Sequence, residues 1–166
     1  MPLLRRDKSQ PVMRDADLAD ARELALELAG LRPLRAPDPM SLGVVLEPGE
    51  TAWRSTFAWL RMGAPEGWTH AESCTVLVTD RRLVVRSQGG PLWSLWWGSL
   101  VGFEGDLVAG HVVLDYGDGA PRLLSGSGVA VVAVAGVARL YGVDALIRHP
   151  ALAALRAPAT ASEGQA

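Results

Sequence analysis

The sequence predicts an α+β fold: a compact barrel or bent sheet pair of six or seven short antiparallel strands, with a helix before it and another after it. Three observations carry this. Apolar residues recur at helical spacing between Asp15 and Gly30. From Leu42 to Leu124 the period shortens to two, and turn chemistry interrupts it every few residues. An Ala- and Val-rich run then restores helical character from Val129. Period 3.6 marks an amphipathic helix, and period 2 marks a half-buried strand.

In the first helix, Leu18, Ala21, Leu24, Ala25 and Leu28 form one stripe. Asp15 or Asp17 caps its start, where the helix dipole favours acidic groups, and Gly30 stops it. Residues 1–14 before it are polar, as expected of a mobile terminus. Residues 31–41 include three prolines, Pro33, Pro37 and Pro39, a stiff linker and a candidate domain boundary. The main domain is expected over residues 42–156, and the Ala/Pro/Ser tail 157–166 has the composition of a disordered segment.

Within that domain Glu47-Pro-Gly-Glu50 reads as a turn. Ala52–Leu60 alternates as a strand, with Trp53, Ser55, Phe57 and Trp59 on one face. Met62–Thr69 reads as a loop. Strands follow at Thr75–Thr79, Leu83–Ser87, Leu92–Trp97, Leu100–Phe103, Leu107–Tyr116 and Pro121–Leu124, the last two joined by a tight turn at Gly117-Asp-Gly119. Val129–Tyr141 reads as a helix ended by Gly142. Asp144 is placed to cap Ala145–Arg148, and His149-Pro150 to open a last short helix ending near Arg156.

Composition narrows the function. The chain has 166 residues, 49% apolar and 20% charged, with a formal net charge of −2. This is a globular composition. Residues 1–43 carry seven basic and seven acidic groups, and residues 44–156 nine and ten. No basic block exists to bind nucleic acid or an anionic membrane surface. Nucleic acid is therefore not expected as a partner, and membrane contact stays an alternative that charge disfavours. The opening Met-Pro-Leu-Leu-Arg-Arg lacks the apolar stretch of a signal peptide. The longest nearly apolar run, Gly128–Ala138, is well short of the roughly 20 residues of a membrane helix. A cytoplasmic location is the resulting expectation.

No catalytic set assembles from the sequence. Cys74 is the single cysteine, in the apolar run Cys74–Val78, where a buried thiol is expected unless His70 folds back to activate it. His70, His111 and His149 are too scattered for metal-ligand spacing. Asp106, Asp115 and Asp118 read as loop and turn residues rather than a carboxylate pair. Gly126-Ser-Gly128 stands between a strand and a helix and could present backbone N–H groups to an anion, but no Gly-Lys-Ser/Thr follows it. A plain turn is the simpler reading. No enzyme, metal or cofactor is expected.

Six tryptophans are the main oddity, with Trp93, Trp96 and Trp97 clustered. In a strand Trp93 and Trp97 share a face opposite Trp96. The cluster is read either as packing between elements or as an exposed aromatic hot spot for a protein partner or a second copy. Arg81 and Arg82 beside it are hairpin residues, with a ligand clamp as the alternative. The first helix can dock back on the sheet, over a strand edge, or pair with another chain.

Leu46-Glu-Pro-Gly-Glu50, Leu77-Val-Thr-Asp-Arg-Arg-Leu-Val84, the tryptophan strand through Leu100, and Leu114-Asp-Tyr-Gly-Asp-Gly119 together resemble the bacterial PH-like domain family. The close, Tyr141–Leu152, is similar to that of actinobacterial proteins of the same general kind. The resemblance implies a seven-stranded bent barrel capped by a C-terminal helix. It implies no activity, since this fold hosts lipid, peptide and protein binding alike. Lipid-binding members carry a lysine-rich loop near the first two strands. Here residues 61–72 hold Arg61 and His70 against Glu66 and Glu72, which argues against phosphoinositide binding. The expected function is a non-enzymatic protein-interaction or scaffolding module, with a lipid head-group binder or a small-ligand protein using the Gly126–Gly128 turn as alternatives.

Overall fold

The computed structural model describes residues 13–157. The expectations for residues 1–12 and 158–166 lie outside the described residues. Helix α1 spans Asp15–Leu28. Eight strands follow: β1 Ala52–Ala64, β2 Gly67–Trp68, β3 Glu72–Thr79, β4 Arg82–Ser87, β5 Leu92–Trp96, β6 Gly102–Asp106, β7 His111–Asp115 and β8 Arg122–Ser125. Helix α2 spans Val129–Tyr141, and a last single turn, α3, spans Ala153–Arg156.

The architecture is α+β with an antiparallel sheet, as expected, but the expected bent barrel of about seven strands is corrected to an eight-stranded sheet that does not close. One antiparallel sheet runs in the order β5-β4-β3-β1-β8-β7-β6, with β2 folding back on β1 as an eighth strand. Among the described residues strands β5 and β6 each pair with one neighbour only, so the sheet stays open. Between them the chain leaves the extended conformation for a 3₁₀ turn at Trp97–Ser99, and α2 packs against that turn. Trp97 therefore ends β5 instead of belonging to it.

Other boundaries move for local reasons. The expected Met62–Thr69 loop is the tip of a hairpin, because β1 continues to Ala64 and Thr69 returns a backbone bond to Met62 at 2.9 Å. The expected Leu107–Tyr116 strand begins only at His111. Residues 107–110 form a tight turn instead, in which Asp106 Oδ1 accepts the Ala109 N–H and Gly110 takes a positive φ of 80°. Asp144 lies inside a 3₁₀ turn, Val143–Ile147, whose N-cap is Gly142. His149 does cap the next turn, its Nδ1 accepting from the Ala151 N–H.

The core lies between the inner face of the sheet and the helices. Val129 to Val137 of α2 are all buried, against Val76, Val78, Val85, Val112 and Leu124 of the sheet. Helix α1 lies on α2 and places Ala21 and Leu24 in the same core. The helix thus docks within its own chain. The proline segment 31–41 connects α1 to the part of the chain that forms the sheet.

A second, smaller cluster covers part of the sheet's outer face. Leu42, Val44 and Leu46 cross over Leu77 and Val84 there. This leaves the rest of that face, along β1, uncovered.

Candidate functional site

β1 is the central strand, paired to β3 on one side and β8 on the other. Its inner residues Ala58 and Leu60 are buried in the core. A register shift between Ala52 and Arg54 marks a bulge at Trp53, which resets the alternation. Trp53 packs against the main core as a result, apart from the two aromatics with which alternation had grouped it. Phe57 and Trp59 instead point outward, 65% and 50% exposed.

Cross-strand register shows what surrounds them. Phe57 stands beside Thr75, Thr75 beside Arg86, and Arg86 beside Leu92, a single row across four strands. Facing residues of antiparallel strands share a side of the sheet. Trp59 lies between Ser73 and Ser125. Its ring leans over Gly126, where an added Cβ would meet Trp59 Cδ1 at 3.1 Å. Next to this row, Leu42 and Val44 wall a pocket of about 170 Å³ floored by Leu77 and Val84, with Arg86 and Leu92 at its rim.

The residues singled out from sequence are engaged elsewhere. Trp97 is 1% exposed, and its indole N–H donates to the Thr79 carbonyl at 3.0 Å, so it is a core residue. Trp96 lies under the Arg82 guanidinium, 4.8 Å from ring centroid to Cζ. Arg82 holds Glu50 through a two-bond fork of 2.8 and 2.9 Å. Burial pushes the Glu50 carboxyl up, but Arg82, the Glu47 N–H and the Thr79 hydroxyl outweigh it and hold it below its ordinary range. Arg81 pairs with Glu47 at 3.2 Å and reaches the Pro48 carbonyl. Both arginines therefore fasten the Glu47–Glu50 turn to the β3–β4 hairpin. Trp93, half-buried, lines a groove of about 380 Å³ with Leu60, Met62 and Pro91, rimmed by Thr69, Glu72 and Ser87.

The remaining candidates make contacts within the fold. The Gly126–Gly128 turn is filled by β1: Gly128 N–H donates to the Phe57 carbonyl, and a side chain at Gly128 would overlap that oxygen and Thr56 Oγ1. Glycine is there for close backbone approach. Burial pushes the Cys74 thiol up, and its Sγ lies 3.7 Å from Ser87 Oγ. Asp106, Asp115 and Asp118 each accept a backbone N–H of their own turn. Among the described residues no group of three His, Cys, Asp or Glu side chains is placed to hold a metal ion. Nor is any helix among them long and apolar enough to cross a membrane.

Phe57 and Trp59 were visible in the sequence as an alternating pair, but not as the exposed face. Ser55 and Arg61 share their parity, but Arg54 and Thr56 stand with Ala58 and Leu60 on the other, so polarity alone does not single out the exposed face. No family model matches the chain, and no curated protein matches it either.

Proposed function

We propose that this chain is a non-enzymatic protein-interaction module of PH-like fold, and that the partner binds on the outer face of β1. The single observation behind this is the exposure of Phe57 and Trp59 on a strand whose two edges are both already paired. Aromatic residues of this size dominate interface energetics when buried by a partner, and a soluble domain that leaves them bare loses that burial. The strand order, with the first long strand joining the two halves and a buried C-terminal helix against them, supports the PH-like reading.

The test is the double substitution Phe57→Ser/Trp59→Ser. Phe57 is mostly exposed and Trp59 half-exposed, so the melting temperature should fall only slightly. Solution mass by light scattering and retention of partners in pull-downs should change. Unchanged mass together with an unchanged partner set would remove the proposal.

A second reading has its own observation, the apolar groove beside Trp93. Its volume falls within the range of small-ligand sites. An apolar fluorophore such as ANS, titrated against wild type and Trp93→Ala, would separate the two. Binding confined to wild type would favour the groove.

A further inference from the structure

We propose that the outer face is selective for an acidic–apolar peptide segment, with an apolar side chain entering the Leu77/Val84 pocket and a neighbouring carboxylate meeting Arg86. This rests on the reading of the β1 face as a partner surface, and names the chemistry of that partner.

The pocket bears on the size of what enters. At about 170 Å³ it is smaller than ordinary ligand sites, which begin near roughly 300 Å³. It suits one side chain of a longer partner. Its floor is apolar and buried, while its rim carries a charge.

The charge decides the partner. Arg32, Arg35, Arg54, Arg81, Arg82 and Arg122 all have acidic partners within ion-pair distance. Among the described residues Arg86 has none, as is also true of Arg14, Arg22, Arg139, Arg148 and Arg156, and its exposed guanidinium lies beside Gly43, where an added Cβ would stand 3.4 Å from Nη2. Arg61, two residues beyond Trp59, likewise has no ion pair among them. The two cations bracket the aromatics. Arg86 lies two strands from Phe57, roughly 10 Å, and Arg61 about 7 Å along β1 from Trp59. In a chain of net charge −2 this is a local reversal of sign. It complements a segment that carries carboxylates beside its apolar residues, and a partner of the same sign would be repelled.

A random peptide library displayed on phage, selected against the immobilised full chain, tests this directly. Selected peptides should pair Asp or Glu with Leu, Ile, Phe or Trp at adjacent or alternate positions. The best synthetic peptide, followed by fluorescence polarisation, should bind Arg86→Glu at least tenfold more weakly. It should bind Arg139→Glu, on the exposed side of α2, as wild type does. A filled pocket, Val84→Phe, should weaken it independently, provided its circular dichroism melt matches wild type. Peptides without an acidic preference, or binding indifferent to Arg86→Glu, overturn the proposal. If such binding still disappears in Phe57→Ser/Trp59→Ser, the partner surface stands and only its chemistry is wrong. Selection of no peptide, with flotation of the chain on phosphatidylserine vesicles, overturns both.

Discussion

Glu27 on α1 accepts two hydrogen bonds of 2.8 Å from the Arg54 guanidinium on β1, and its side chain is 0% exposed. Asp20 and the Arg35 side chain complete the group. Removing one member of a buried pair strands the other charge, at a cost of about 3–5 kcal/mol. Glu27→Ala should therefore destabilise the protein by about 3 kcal/mol in urea titration, the low end because Asp20 stays near Arg54. The apolar replacement Glu27→Leu/Arg54→Met should recover most of the loss. A Glu27→Ala loss below about 0.5 kcal/mol would mean that the pair does not hold α1 down.

The same pair makes stability depend on acid. The Arg54 hydrogen bonds, against the opposing effect of burial and with help from Arg35, bring the Glu27 carboxyl from 4.5 down to about 2. A folded value below the unfolded one contributes stability that is fully present above pH 4.5 and disappears as the pH falls toward 2. At roughly 1.4 kcal/mol per unit, this is of the order of 3 kcal/mol. Urea midpoints measured from pH 6 to pH 2 should fall across that window in wild type. They should fall much less in Glu27→Gln, and parallel curves would refute the assignment.

Arg82 couples a fork onto Glu50 to a stacked indole, Trp96. Lysine keeps the charge but has neither the planar fork nor the flat stacking surface. Arg82→Lys should cost about 1–3 kcal/mol and shift the tryptophan emission. If thermal melts of the two proteins coincide, the fork does not anchor the turn.

Gly136 stands mid-helix in α2, where alanine would normally add about 1 kcal/mol of helix stability. Here a Cβ would come within 2.5 Å of the Phe103 ring. Gly136→Ala should be destabilising by about 1–3 kcal/mol, as overpacking usually is. Gly136→Ala/Phe103→Leu should recover part of that in the same denaturation assay. A more stable single variant would show that the ring moves freely.

Cys74 is buried, and burial raises its thiol above the usual range. Ellman's reagent should release almost no colour from the native protein within minutes, and one equivalent in guanidinium chloride. Fast reaction in buffer would show that β3 opens readily.

Local patterns were legible in the sequence. The bounds of α2, the Gly142 stop and the β3–β4 hairpin follow from residues a few positions apart. The Trp53 bulge was not, since β1 mixes polar and apolar residues on both parities and alternation alone does not reveal where parity resets. Nor was the place of Trp97, which satisfies its indole through Thr79, 18 residues away. The docking of α1 depends on Arg54 lying 27 residues beyond Glu27, a pairing that charge pattern does not specify. The candidate surface was half legible: its aromatics and arginines alternate visibly, but which face the loop 42–46 leaves bare is decided by packing.

The placement of β1 between β3 and β8 also governs how the protein is made. Trp59 pairs with Ser125, 66 positions later (59 to 125). During synthesis the β1–β3–β4–β5 half can assemble while the other edge of β1 waits for β8, leaving an unsatisfied ladder beside two bare aromatic rings. Such non-local closure is slow, and the waiting edge is open to other chains. The nascent chain is therefore most prone to aggregate just before β8 and α2 leave the ribosome, and translation stalled between residues 97 and 125 would prolong that interval.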